Sequence, residues 1–124
     1  MSLDLPSASG SQPFFTVTPL QAGVLGLREH MFVSDPEPDK MNIVPSLSFL
    51  LRASSSKTMI LFDLGIKKEL KEYSPNTQLS IMNRPCAANP DVNDSLKMQS
   101  NPLSPEDITH VILSHIHWYI YAFD

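Results

Sequence analysis

Apolar residues first gather at Phe14-Phe15-Thr16-Val17-Thr18 and again from Val24 to Val33. Both runs are rich in the branched and aromatic side chains that suit a pleated surface, and they predict two strands. Asp35-Pro36-Glu37-Pro38-Asp39 follows; two prolines in three residues remove backbone donors and disfavour helix before each ring, so this is an exposed connection. Ser46 to Arg52 alternates, putting Leu47, Phe49 and Leu51 on one side, the period of a strand with one buried face. Ala53-Ser54-Ser55-Ser56 reads as a turn. Lys57 to Asp63 carries the unbroken run Met59-Ile60-Leu61-Phe62, which fits a central strand covered on both faces. The two strands form a predicted hairpin.

Asp63-Leu64-Gly65 ends that hairpin, and Lys67 to Tyr73 has the composition of a short helix whose Lys67, Lys68, Glu69 and Glu72 make a solvated face. Ser74 to Pro102 is broken at Pro75, Pro85, Pro90 and Pro102, and within it only Asp91 to Gln99 suggests a helix, with Val92 and Leu96 four apart. Ser104-Pro105-Glu106-Asp107 supplies a capping residue, a first-turn proline and first-turn acids, so a helical turn starts at Pro105. A strand from about His110 to Ser114 would then deliver His115-Ile116-His117 at its end. Residues 1–12, rich in serine and interrupted by Pro6 and Gly10, read as a tail outside the fold.

Composition narrows the partners. At 124 residues the chain has the size of one domain, and 42% apolar content suffices for a core. A net charge of −4 offers no footprint for nucleic acid or an anionic membrane. The longest apolar run, Trp118 to Phe123, falls far short of the roughly 20 residues of a membrane span, and the first residues lack the basic start of a secretory signal. A single cysteine, Cys86, excludes an internal disulfide and points to a reduced, cytoplasmic setting. No basic group is placed to activate that thiol, which reads as a small half-buried residue. Tyr73, Trp118, Tyr119 and Tyr121 read as packing rather than as a base-stacking platform, because lysines and arginines do not interleave them.

Candidate chemistry lies at the end of the last strand. Two histidines spaced i, i+2 project to the same side, so the imidazoles of His115 and His117 can approach one metal ion. The plain alternative is a pair of polar residues on a strand-end loop. Their context is more specific than the pair: a buried strand ending in Phe62-Asp63-Leu64-Gly65, about 50 residues of helix and loop, then Ser104-Pro105-Glu106-Asp107-Ile108 leading to Val111-Ile112-Leu113-Ser114-His115-Ile116-His117-Trp118.

Over Phe14 to Trp118 the chain resembles the metallo-β-lactamase-fold hydrolases, most closely their lactonase-like branch. The resemblance implies an α+β fold: the N-terminal half of an αβ/βα sandwich, residues 13–118, a mostly antiparallel sheet with short helices. It also implies that His115 and His117 correspond to the first two histidines of an H-x-H-x-D-H signature and help hold a zinc ion. Asp63 corresponds to the acid closing an early strand, chiefly a structural role. The implied activity is zinc-dependent hydrolysis of a lactone or another ester-like bond, in which a metal-bound water becomes the nucleophile.

The likeness stops after Trp118. Tyr119 and Ile120 stand where the signature calls for Asp and His, so residues 119–124 form a divergent end without the remaining ligands. Trp118-Tyr119-Ile120 must be encoded TGG-TAY-ATH, which contains GTAYAT, a sequence of the kind that begins introns. This leads to the expectation that Trp118 marks an exon end. Two imidazoles fall short of the three protein ligands of a catalytic zinc, so the expectation for this chain is a remnant metal pair without activity. An uncovered sheet face should make it prone to self-association. The rival expectation is a non-catalytic interaction module that binds a partner through that face or its edge.

Overall fold

A computed structural model describes residues 7 and 9–117 of the chain. Its frame is one long antiparallel pair, β1 (Phe15–Arg28) against β2 (Met41–Ala53), extended by β3 (Met59–Phe62), β4 (Cys86–Ala87) and β5 (His110–Ile112). The five-stranded sheet runs β4-β1-β2-β3-β5, antiparallel except for the parallel β3–β5 pair. Two short helices, α1 (Pro75–Met82) and α2 (Val92–Lys97), lie between β3 and β5, with single 3-10 turns at Glu29–Met31, Leu70–Glu72 and Pro105–Asp107. The fold is therefore α+β, an open and mostly antiparallel sheet with short helices. Among the described residues no helix is long and apolar enough to cross a membrane.

The two strands expected before Val33 are one. Gln21 pairs with Leu47 and Val24 with Pro45, so Ala22 and Gly23 together oppose Ser46 in a β-bulge. Gly23 has φ +102°, and a Cβ there would sit 2.8 Å from the Ala87 carbonyl oxygen on β4, so glycine permits both the bulge and the close edge strand. The strand ends at Arg28 rather than Val33 because the Glu29 carbonyl accepts from the amides of Phe32 and Val33 and turns the chain.

The hairpin β2–β3 forms as expected, with Leu50 opposite Leu61 and Phe49 opposite Phe62. Its buried side is the reverse of the one expected. Ser46, Ser48 and Leu50 are buried, whereas Leu47 is 44% exposed and Phe49 and Leu51 are only half-buried. The reason is the chain leaving β3. It crosses β2 to reach β1, where the Ile66 amide donates to the Ala22 carbonyl, and small side chains at Ser46, Ser48 and Ala22 give it room. Gly65, at φ +72°, passes so close that a Cβ there would overlap the Ala22 Cβ.

Among the described residues the core lies on one face of the sheet. At one end Leu20, Ala22, Leu50, Leu61 and Leu64 pack on Val92 and Leu96 of α2; at the other Leu25, Ile66, Tyr73, Ile81 and Ala88 form a second cluster. Asp91 caps α2 by accepting from the Asp94 amide at 2.7 Å, and Ser95 Oγ donates to the Gln21 carbonyl at 2.6 Å, pinning α2 beside the bulge. The opposite face is left open among the described residues: Phe15, Val17, Ile43 and Ile112 are each 45% exposed or more.

Two further expectations need correction. Lys67 to Tyr73 contains only the 3-10 turn Leu70–Glu72, and Lys67 is not on a solvated face: it is buried, its amide donating to Tyr73 Oη at 2.7 Å and its ammonium lying 5.9 Å from the centre of that ring. The stretch from Ser74 contains a helix, α1, with Pro75 at its start and Ser74 Oγ accepting from the Thr77 amide. Of the expected tail 1–12, residues 7 and 9–12 lie outside the sheet, with the Gln12 amide donating to the Ser9 carbonyl. Trp118 and the end 119–124 lie outside the described residues.

Candidate functional site

The parallel pairing of β3 with β5 places the residues that follow the two strands side by side. Asp63 leaves β3 with φ +60°, a left-handed conformation that Asp and Asn tolerate better than most residues. Its amide donates to the Ile112 carbonyl at 2.8 Å, carrying the ladder one step past β3. The carboxylate then faces the segment leaving β5. Oδ1 accepts from the Ser114 amide at 2.7 Å and Oδ2 from Ser114 Oγ at 2.8 Å. Both oxygens thus hold one residue, 51 positions away in sequence, at the base of the histidine segment.

His115 and His117 follow directly. Their ring centroids are 6.3 Å apart and tilted by 51°, and His115 Nδ1 lies 2.9 Å from Ser114 Oγ. Partial desolvation, the nearby His115 and the positive charge of Arg84 all hold the His117 pKa below its ordinary value, which favours the neutral imidazole that metals bind. The site is exposed, but Asp63 also borders an apolar hollow of about 220 Å³ lined by Leu25, Leu27, Phe32, Val44 and Leu47.

The other candidates lie elsewhere. His110 opens β5, where it opposes Ile60 and contacts Thr109 Oγ1, at the far end of the strand from His115. His30 sits in the turn after β1. Cys86 is half-buried on β4, and burial pushes its thiol up against a smaller opposing effect of Arg84, which disfavours the reactive thiolate. Among the described residues no three His, Cys, Asp or Glu side chains gather in a way that could hold a metal ion. The imidazole pair suits zinc in kind but not in number, since a catalytic zinc takes three protein ligands and a structural one four. The described residues therefore do not complete a metal site.

Sequence reasoning singled out Asp63, His115 and His117 but not Ser114 or Arg84. Ser114 is the residue that joins the acid to the histidines, and only the β3–β5 pairing reveals it. Comparison of the chain with protein-family models, curated proteins and solved structures finds no match.

Proposed function

We propose that residues 13–118 are the N-terminal half of a metal-dependent hydrolase of the metallo-β-lactamase type, whose complete form acts on lactone or ester-like bonds. His115 and His117 are two zinc ligands, and Asp63 is the positioning residue beneath them. This chain by itself holds zinc weakly and does not turn over substrate. The observation that carries the reading is the double hydrogen bond from Ser114 to Asp63, which uses a whole carboxylate to fix the segment bearing the histidine pair. The hollow beside Asp63 supports the substrate class, being apolar and of a size for a short acyl or ring portion.

Zinc titration of the purified chain, followed by the ring resonances of the four histidines, tests it. His115 and His117 should respond together, only at zinc well above the protein concentration, with no hydrolysis of a γ-lactone or an aryl ester. A response of His30 or His110 alone would overturn the assignment of the pair. Stoichiometric zinc with turnover by a lone chain would overturn the claim of inactivity.

The open sheet face favours a second reading, a non-catalytic module that associates with a copy of itself. Sheets expose one face to water when it is polar, and this one carries Val17, Leu47, Phe49, Leu51, Ile60, Phe62 and Ile112. In the hydrolase reading the same face is where the second sheet of the sandwich packs.

A further inference from the structure

We propose that Asp63 and Ser114 form a two-step hydrogen-bond relay that sets the tautomer of His115. The argument is a proton count. Both oxygens of a carboxylate only accept, and those of Asp63 take the Ser114 amide proton and the Ser114 hydroxyl proton. A serine hydroxyl has one proton. With that proton committed to Asp63 Oδ2, Ser114 Oγ has only lone pairs left for His115 Nδ1 at 2.9 Å. That contact is a hydrogen bond only if Nδ1 carries the hydrogen and donates. Neutral His115 is then the Nδ1–H tautomer, and its electron pair resides on Nε2.

The relay has a direction because it ends in a charge. A carboxylate accepting from Oγ–H makes Oγ a better acceptor for Nδ1–H, which in turn makes Nε2 a stronger donor of its pair. The use of Nε2 toward a metal ion rests on the hydrolase reading above, whereas the place of the proton does not. Ser114 and Asp63 thus act through His115 as positioning residues.

Two-bond nitrogen–proton correlation spectra of the histidine rings, recorded at about pH 8, above the ordinary imidazole pKa, read the tautomer directly. The native chain should show His115 mainly as Nδ1–H. Ser114→Thr keeps the hydroxyl and should leave that pattern unchanged, whereas Ser114→Ala should make the Nδ1–H form the minor one. Asp63→Asn should reverse it: the amide donates to Ser114 Oγ, the hydroxyl proton turns to His115 Nδ1, and the hydrogen moves to Nε2. Asn also tolerates the left-handed backbone, so the variant keeps the fold; His110, far from the relay, serves as the internal control. A native spectrum dominated by Nε2–H, or a His115 pattern identical in the native chain, Ser114→Ala and Asp63→Asn, would overturn the relay. A native Nδ1–H pattern that switches as described, with no zinc response at either histidine, would leave the relay standing and remove the hydrolase reading instead.

Discussion

At the scale of single residues, Asp63 combines a left-handed backbone with two hydrogen bonds to Ser114. Asp63→Ala should therefore lower stability by about 1–2 kcal/mol from the backbone alone, with amide-exchange protection of Ser114 lost as well. Asp63→Asn should cost less in urea unfolding, and an alanine variant as stable as the asparagine one would contradict this. His117 gives a pH dependence. Its folded pKa is held below the ordinary value by desolvation first, then by His115 and Arg84. As pH falls, the unfolded chain takes up this proton before the folded one, so stability drops from the ordinary imidazole pKa down through the depressed folded value and is unaffected above. Arg84→Gln should raise the His117 pKa part of the way, because the desolvation and His115 remain; a proton-resonance titration that shows no rise would refute the role of Arg84.

At the scale of elements, the crossing from β3 to β1 fixes what the sheet buries. Gly65→Ala meets both a positive φ and a Cβ overlap with Ala22, and should cost at least about 3 kcal/mol. Gly10→Ala, where a Cβ meets nothing within 4 Å, should stay within about 0.5 kcal/mol of the native chain. Equal thermal shifts for the two would show that the crossing does not constrain the fold. Leu96, 1% exposed, packs α2 on the sheet together with Val92, and Leu96→Ala should cost about 2–5 kcal/mol. The cap at Asp91 and the bond from Ser95 to Gln21 position the helix; the burial of Leu96 stabilises it.

At the scale of the whole molecule, the described residues form a sheet with α1 and α2 on one side and an apolar surface on the other. Sedimentation velocity should show the chain growing heavier with concentration, and Leu47→Lys, in the middle of the open face, should shift it toward monomer. Met82→Lys, on the solvent side of α1 and 80% exposed, should not. A native chain that sediments as one monomeric species at every concentration would show that the face needs no cover. Salt bridges do not alter this balance: Lys68–Asp94 at 2.6 Å and Lys40–Glu29 at 3.2 Å lie at the surface, where such pairs contribute little.

Local chemistry was enough to locate most elements. The hairpin of β2 and β3, the proline-rich connection, the helix around Val92 and Leu96 and the strand before His115 follow from period, caps and breakers, which act within a few residues. Ser74-Pro75 carries the same start signal as Ser104-Pro105, so α1 is readable too, although Pro85, Pro90 and Pro102 after it give the stretch the look of a loop. Long-range packing had to decide the rest. Alternation says that a strand has two different faces but not which one the next segment will cross, so Leu47, Phe49 and Leu51 turned outward while two serines turned in. It likewise could not show that Asp63 and Ser114 meet, because a parallel strand pair brings together positions that no local pattern connects.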